Sequence, residues 1–280
     1  MWSSFLPVAI SESYLPNGYI SFVVILIVND DGIASPGIRA AVEAVRELGD
    51  VVVVAPAVQQ SGVGRSISLF SPVSVSKGEL SGASAYSISG TPVDAVISGI
   101  YGILDKTPDL LISGINIGEN MSSEATTSGT VGAALEGASQ GVPSIAISVH
   151  SMEAIRFVSM ECDIDFSLAK AVLKKLAKFV LEKGLPDGVD LLNVNIPTNV
   201  ENMEVEVTRL ARRMYTTSVE ERRDPRGRVY YWIAGDPVTD AEVGTDVHTV
   251  RVARRISITP LKLDFTASVN IENLSGLKGL

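Results

Sequence analysis

Short runs of apolar, largely β-branched residues alternate with segments in which apolar positions recur at helical spacing. Such runs, bounded by polar turns, are typical of parallel strands buried on both faces. The predicted strands are Phe22–Val28, Val51–Ala55, Asp109–Ser113, Ser144–Ser148 and Leu191–Ile196. The predicted helices are a segment that begins at Pro36 and ends before Gly49, then Ala95–Leu104, Thr130–Gln140 and Phe166–Lys183. This alternation predicts a doubly wound, mostly parallel, Rossmann-like α/β sheet.

The pattern changes near residue 200, where apolar and polar residues begin to alternate. Met203–Leu210, Val229–Ala234 and His248–Pro260 are predicted to be β-like, and a hairpin-type turn precedes the second of them. We therefore divide the chain into an α/β core (23–200) and an appended β-hairpin region with a C-terminal tail (201–280). Residues 1–22 form an extension without an assigned role, and they lack the basic start of a signal peptide.

Composition and charge narrow the class of protein. The 280 residues suffice for one large α/β core, and the net charge of −9 argues against binding to a nucleic-acid polymer. No apolar run approaches the roughly 18 residues that a membrane-spanning helix needs. The single cysteine, Cys162, rules out a disulfide within the chain and favours a reducing, cytoplasmic location.

Polar, glycine-containing loops follow several predicted strands. They comprise residues 29–32, 59–62 and 114–120, and residues 128–130 lie shortly before the next strand. Ligands of open α/β sheets bind outside the carboxyl ends of the strands. We therefore expect these loops to meet at one edge of the sheet and to form a binding site there.

Two adjacent carboxylates, Asp30 and Asp31, are the sharpest feature of these loops. Carboxylates held about 4 Å apart repel each other by about 4 kcal/mol at an effective dielectric of about 20, so one is protonated or a cation lies between them. The Ser61 hydroxyl and the Asn116 amide are hard oxygen donors from neighbouring loops. The set favours Mg²⁺, Mn²⁺ or Ca²⁺ over Zn²⁺ or copper. Taken alone, the tripeptide that ends at Gly32 is more typical of a polar turn, and the three further oxygen-bearing loops at the same edge of the sheet are what favour a functional site.

Ser128, Gly129 and Thr130 directly precede a helix of small residues. Backbone amides at a helix N-terminus, together with two hydroxyls, are typical of an anion site, although simple helix capping explains the motif equally well. Beside a cation site, an anion site predicts a phosphate held between the two. The sequence at 62–64 lacks the third glycine of a dinucleotide fingerprint, which argues against a nicotinamide or flavin cofactor.

Several motifs in fixed order resemble the survival protein E (SurE) family. They are VNDDG at 28–32, GTPVDAV at 90–96, PDLLISGINIGEN at 108–120, SGTVGAALEG at 128–137, DPRGRVYYW at 224–232 and ITPLKLDFTA at 258–267. The resemblance implies a metal-dependent nucleotidase that cleaves nucleoside 5′- and 3′-monophosphates, with some family members also degrading polyphosphate. It further implies a homodimer or tetramer with exchanged C-terminal segments, a role that we expect residues 201–280 to serve.

The resemblance also implies roles for single residues. The family's metal ligands fall on Asp30, Asp31, Ser61 and Asn116, and its phosphate-contacting residues fall on Asn120, Ser128, Gly129 and Thr130. Two further residues are candidates for orienting the metal ligands without binding the metal. They are Asn29, next to the paired aspartates, and Asp264, which matches a family carboxylate near the last strand. Some members carry a histidine where this chain has Ser268, so the general acid stays unassigned.

The predicted chemistry has two rivals. We expect Asp30 and Asp31 to anchor one divalent cation per subunit, Mg²⁺ or Mn²⁺, and one of them to orient or deprotonate the attacking water. A phosphatase that forms an aspartyl-phosphate is the first alternative, although its two aspartates usually stand two residues apart. A non-enzymatic metal- or nucleotide-sensing module is the second, and such a module typically needs a lysine at the sheet edge.

Overall fold

A nine-stranded sheet forms the centre of the protein in a computed structural model that describes residues 13–14, 20–21, 23–150, 164–198, 200 and 203–266. In chain order the strands are β1 (Ser13–Tyr14), β2 (Ile20–Ser21), β3 (Val24–Val28), β4 (Asp50–Pro56), β5 (Val75–Leu80), β6 (Ala83–Ile88), β7 (Leu110–Ile117), β8 (Ser144–Val149), β9 (Leu191–Ile196), β10 (Val205–Val207), β11 (Ser218–Arg223), β12 (Val229–Ala234) and β13 (Ile256–Leu261). The central sheet has the order β10-β13-β9-β8-β7-β3-β4-β6-β5, while β1 pairs with β2 and β11 with β12 outside it.

The direction of the strands confirms the predicted fold class. Neighbouring strands from β6 through β4, β3, β7 and β8 to β9 all run parallel. Only the additions at the two margins, β5 on β6 and β13 on β9, are antiparallel. The strand order reverses where the chain passes from β4 and β6 back across β3 to β7, and such a switch point is where α/β sheets bind ligands.

Helices cover both faces of the sheet. They are α1 (Pro36–Val45), α2 (Pro92–Ser98), α3 (Gly129–Ser139) and α4 (Ser167–Lys183). Helices α1 and α4 pack together over one face, and α2 and α3 pack together over the other. Each face has its own apolar cluster, which explains why the strands between them are continuous apolar runs.

Most predicted core elements are confirmed, with shifted boundaries. The helix predicted at Ala95–Leu104 begins earlier, at Pro92, because Thr91 and Asp94 form a capping box, and it continues into a π-helical turn at Gly99–Ile103. The antiparallel pair β5–β6 was not predicted. Five of the six residues of β5 are exposed, so this strand carries no apolar run.

The C-terminal region departs further from the prediction. The first part of the predicted β-like segment His248–Pro260 is wrong, because His248–Val252 forms a π-helical turn and only Ile256–Leu261 is a strand. The turn follows the buried Asp246, whose carboxylate accepts hydrogen bonds from the amides of Ser122, Ala211 and Val247, contacts that the spacing of apolar residues does not reveal. The hairpin β11–β12 is confirmed and stands exposed along both strands.

Some sequence predictions concern residues outside this description. Cys162, Ser268 and most of residues 1–22 are among them. Within the described ranges, no helix has both the length and the apolar character that crossing a membrane requires.

Candidate active site

Asp30 lies directly after β3, in contact with the first turn of α3. Its side chain is buried and accepts a hydrogen bond of 2.6 Å from the Thr130 hydroxyl to Oδ1 and one of 3.1 Å from the Thr130 amide to Oδ2. Burial raises the pKa of Asp30, and these hydrogen bonds oppose that shift. The hydrogen bonds from Thr130 and the N-terminus of α3 therefore offset only part of the cost of burying a charge on Asp30.

Asp31 faces the neighbouring strand instead. Its Oδ2 accepts a hydrogen bond of 3.1 Å from the backbone amide of Ile117, at the end of β7. Burial is the larger cause and the charge of Asp30 the smaller one, and together they raise the pKa of Asp31 to about 7. Gly32 completes the turn with a φ of +93°, a backbone conformation that residues other than glycine rarely adopt.

Asn116 comes from the irregular end of β7. The register between β7 and β8 shifts between Ser113 and Asn116, and such an irregularity re-aims side chains next to active sites. The Asn116 amide nitrogen donates a hydrogen bond of 2.7 Å to the carbonyl of Gly118. This bond fixes the amide plane and leaves Oδ1 as the atom that can bind a cation.

Ser61 lies in the loop after β4, which is tied to both sides of the site. The amide of the preceding Gln60 donates a hydrogen bond of 2.7 Å to the Asp30 carbonyl, and the Gly64 amide donates one of 2.9 Å to the Thr127 carbonyl. Ser61 itself is exposed. The residue before Ser61 thus contacts the turn that carries the paired aspartates, and a metal contact by the Ser61 hydroxyl stays a prediction.

The segment Ser128–Thr130 forms the N-terminus of α3. Ser128 caps the helix, since its hydroxyl oxygen accepts a hydrogen bond of 3.1 Å from the Val131 amide. A Cβ atom added to Gly129 would lie 2.8 Å from the Asp30 Cβ, so only glycine allows this approach. The Thr130 hydroxyl already donates its hydrogen to Asp30. Contacts of Ser128, Gly129 and Thr130 with a phosphate stay a prediction.

Asn120 is held by side chains from β8 and β9. Its amide donates to Asn195 Oδ1 at 2.8 Å, and its carbonyl accepts from the side-chain amides of Asn193 at 2.8 Å and Asn195 at 3.0 Å. Its own side chain donates a hydrogen bond of 2.9 Å to the Ser148 hydroxyl. Asn193 and Asn195 are fully buried, so they fix the position of Asn120 rather than bind ligand.

A buried ionic cluster next to Asn120 was not predicted from the sequence. The Glu119 carboxylate contacts His150 Nδ1 at 2.7 Å, Arg251 Nη2 at 2.6 Å and the Tyr215 hydroxyl at 3.1 Å. Burial opposes its ionisation, but His150 and Arg251 outweigh burial and lower the pKa of Glu119 to about 2. Burial and the charge of Glu119 raise the pKa of Tyr215 to about 12.

The two supporting residues have different positions. The Asn29 side chain donates hydrogen bonds of 2.9 Å to the Gly32 carbonyl and 3.2 Å to the Ser35 hydroxyl, so it stabilises the turn that carries the aspartates. In this chain Asp264 does not lie near the paired aspartates. It is exposed beyond Leu261, which pairs with Leu191 at the amino end of β9, at the opposite edge of the sheet.

The donors present suit a hard divalent cation. No group of three or more His, Cys, Asp or Glu side chains that could hold a metal occurs in the described ranges, so a cation here depends on amide and hydroxyl oxygens as well. Burial raises the pKa of both Asp30 and Asp31, and the charge of Asp30 adds to the shift at Asp31, so a bound cation would stabilise their charged forms. With the available Asn116 Oδ1, these oxygens fit a hard divalent cation.

The chain is similar to a known protein family and to several known proteins. The family model described as survival protein SurE matches residues 25–217. The protein 5′-nucleotidase SurE of Methanocella arvoryzae is 58% identical over 257 residues, which cover 89% of this chain and 97% of that protein. The protein of the same name from Archaeoglobus fulgidus is 54% identical over 253 residues, which cover 90% of this chain and 96% of that one.

A solved structure supports the same assignment. The crystal structure of the SurE protein from Aquifex aeolicus superimposes with a TM-score of 0.77 and 40% sequence identity, covering 91% of this chain and 99% of that one. The range matched by the family model includes both the strands of the doubly wound sheet from β3 to β9 and the paired aspartates. This chain belongs to the SurE family of survival proteins.

Proposed function

We propose that this protein is a divalent-metal-dependent phosphomonoesterase, a 5′/3′-nucleotidase that hydrolyses nucleoside monophosphates to nucleoside and phosphate. The observation that carries the proposal is the contact between Asp30 and Thr130, which joins the predicted cation site to the predicted anion site. The relatives from Methanocella arvoryzae and Archaeoglobus fulgidus, both named 5′-nucleotidase SurE, support the choice of substrate class.

The metal site would use oxygen donors from three loops. Asp30 and Asp31 would hold one Mg²⁺ or Mn²⁺ per subunit, and Ser61 and Asn116 would complete the protein ligands. A cation bound there supplies Lewis-acid stabilisation of the phosphoryl group and acidifies water. Both oxygens of Asp30 accept hydrogen bonds from Thr130, so the less buried Asp31 is the residue left to orient and deprotonate the attacking water.

The phosphoryl group would be bound by donors that still have a free hydrogen. The Ser128 oxygen accepts from Val131, so its hydroxyl hydrogen is free to donate. Asn120 Nδ2 donates one hydrogen to Ser148 and carries a second. Together with the N-terminal turn of α3 at Gly129 and Thr130, these donors would stabilise the charge that develops on the equatorial oxygens.

A phosphate-release screen tests the proposal. Chelator-stripped protein is assayed with all nucleoside 5′- and 3′-monophosphates and short polyphosphate, with Mg²⁺, Mn²⁺ and Zn²⁺ added back singly. We expect multiple turnovers per site that require the metal and that Asp31→Asn abolishes. A trapped phosphoenzyme would favour the aspartyl-phosphate route, and metal binding without turnover would favour the sensing module.

We also propose that the C-terminal region joins subunits into a homodimer or tetramer. One face of the β11–β12 hairpin presents exposed apolar side chains, including the cross-strand pair Val219 and Ile233 and, beside them, Tyr231. An isolated two-stranded hairpin is marginally stable in water, so an exposed apolar face favours burial against a second copy. Ile233→Lys should lower the mass measured by light scattering, whereas Ala234→Lys, on the opposite face, should not.

The location that fits this role is the cytoplasm. The single cysteine suits a reducing compartment, and nucleoside monophosphates are intracellular metabolites. Fractionation of cells that express the tagged protein would check this proposal.

A further inference from the structure

Glu119 connects the sheet with the C-terminal region. It stands between Gly118, whose amide donates a hydrogen bond of 2.9 Å to the Val149 carbonyl, and Asn120. Its side chain is only 5% exposed although it carries a full charge. Buried carboxylates of this kind are retained only where several donors satisfy them.

The partners of Glu119 come from segments that are distant in sequence. His150 lies just beyond the end of β8, whereas Tyr215 and Arg251 belong to the C-terminal region. Arg251 also donates a hydrogen bond of 2.6 Å to the Met214 carbonyl, and its guanidinium lies 4.7 Å from the centre of the Tyr215 ring. The cluster is therefore a network of hydrogen bonds and ionic contacts between three segments, not a single ion pair.

A second buried carboxylate, that of Asp246, binds the same loop three residues after Glu119. Asp246 accepts hydrogen bonds of 2.7 Å from the Ser122 amide and 2.8 Å from the Ala211 amide. The loop that contains Asn120 is thus fixed on one side by Asn193 and Asn195 of the sheet, and on the other by contacts with the C-terminal region. Glu119 is the contact adjacent to Asn120.

The geometry points to Glu119 as a positioning residue, through which Arg251 and Tyr215 of the C-terminal region set the placement of Asn120 against the substrate phosphoryl group. This inference rests on the proposed function. Glutamine at this position keeps the shape but replaces one acceptor oxygen with an NH₂ group. That group would face the donors of His150 or Arg251, and Arg251 would stay buried without its counter-charge.

The test compares Glu119→Gln and Arg251→Met with Val172→Ala. Val172 is buried in α4 on the opposite face of the sheet, so its truncation destabilises the fold without touching the site. In both cluster variants we expect the affinity of the Mn²⁺-loaded protein for inorganic phosphate and kcat/KM for AMP to fall about 10- to 100-fold. The affinity for Mn²⁺ itself, measured by calorimetry, should stay within about twofold of wild type, since Asp30, Asp31 and Asn116 are not in the cluster.

Two further results decide the inference. The double variant should lose little more than either single variant, because both disrupt one cluster. Phosphate affinity and kcat/KM close to those of Val172→Ala would overturn the positioning role, as would an equal loss of Mn²⁺ affinity. A wild-type chain that hydrolyses no nucleotide would refute the proposed function. The phosphate titration would then still decide the role of Glu119, since it requires no turnover.

Discussion

The Thr130 hydroxyl donates a hydrogen bond of 2.6 Å to Oδ1 of Asp30, across a sequence separation of 100 residues. This contact joins two motifs that the sequence presents separately, an acidic turn after β3 and a Ser-Gly-Thr turn before α3. The N-terminus of α3 therefore stabilises a carboxylate of the protein itself. A phosphoryl group bound beside Asp30 would share this environment of positive partial charge with the carboxylate.

Thr130→Val should weaken metal binding and turnover. Valine has nearly the same shape, but it removes the donor to Asp30 at a position that is fully buried. Loss of a hydrogen bond that orients a metal ligand typically costs about 10- to 100-fold in affinity or activity, and we expect that range for Mn²⁺ affinity by calorimetry. Thr130→Ser, which keeps the hydroxyl, should stay within about threefold of wild type. Equal behaviour of the two variants would refute this role for the hydroxyl.

Gly129→Ala should inactivate the enzyme for a steric reason. The added Cβ would lie 2.8 Å from Asp30 Cβ and 2.9 Å from Oδ2, so α3 and the β3 turn would have to move apart. Displacements of about 1 Å at a catalytic site can lower rates about 100-fold. Gly102→Ala is a suitable control, because an added Cβ there meets nothing within 4 Å. Near-wild-type phosphate release by Gly129→Ala would contradict the observed close packing.

Asp31→Asn should stabilise the metal-free protein while it abolishes activity. Burial and the charge of Asp30 raise the pKa of Asp31 from 3.8 to about 7, so ionised Asp31 destabilises the fold increasingly as the pH rises from about 4 to about 7. The penalty at pH 8 is on the order of 4 kcal/mol. Asparagine avoids it and can still accept the hydrogen bond from Ile117.

Urea unfolding in the presence of a chelator, with and without added Mn²⁺, measures this effect. Without metal at pH 8, Asp31→Asn should be the more stable protein. Excess Mn²⁺ should stabilise the wild type and leave the variant nearly unchanged. A variant that is less stable than the metal-free wild type would show that burial and the charge of Asp30 do not raise the pKa of Asp31 as inferred.

The sequence was informative where one physical signal dominates. The segment Leu191–Ile196 was predicted to be a strand because it completes the alternation of strands and helices, and its predicted bounds agree with β9. The loops that follow β3 and β7 could be placed at one edge because parallel strands end on the same side. The hydrogen bond from Ile117 to Asp31 shows that the turn after β3 meets the carboxyl end of β7.

The structure adds what depends on contacts between distant segments. The partners of Glu119 are separated from it by 31, 96 and 132 residues, and no local pattern links them. The π-helical turn at His248–Val252 contains β-branched residues that favour a strand, but it follows the buried Asp246, whose contacts with Ser122 and Ala211 no local pattern reveals. Strand β5 is recognisable only through its pairing with β6, since its own side chains are mostly exposed.

The stability of the protein should depend on pH through Glu119. Burial opposes its ionisation, but His150 and Arg251 lower its pKa from 4.5 to about 2. A carboxylate whose pKa is depressed in the folded state stabilises the fold above its unfolded pKa and loses that contribution as the pH falls. The shift corresponds to about 3 kcal/mol, which should be present at pH 6 and should disappear between about pH 4.5 and pH 2.

Urea unfolding of wild type and Glu119→Gln at a series of pH values isolates this contribution. Because glutamine does not titrate, the difference in unfolding free energy between the two proteins should shrink as the pH falls below 4.5, while the wild type loses its advantage. Glu43→Gln is the control, since the Glu43 side chain is 47% exposed in a surface pair with Lys170. Such a pair contributes at most about 1 kcal/mol, so its difference should be small at every pH. A Glu119→Gln difference that stays constant from pH 6 to pH 3 would mean that Glu119 titrates alike in the folded and unfolded chain, contrary to its buried contacts with Arg251 and His150.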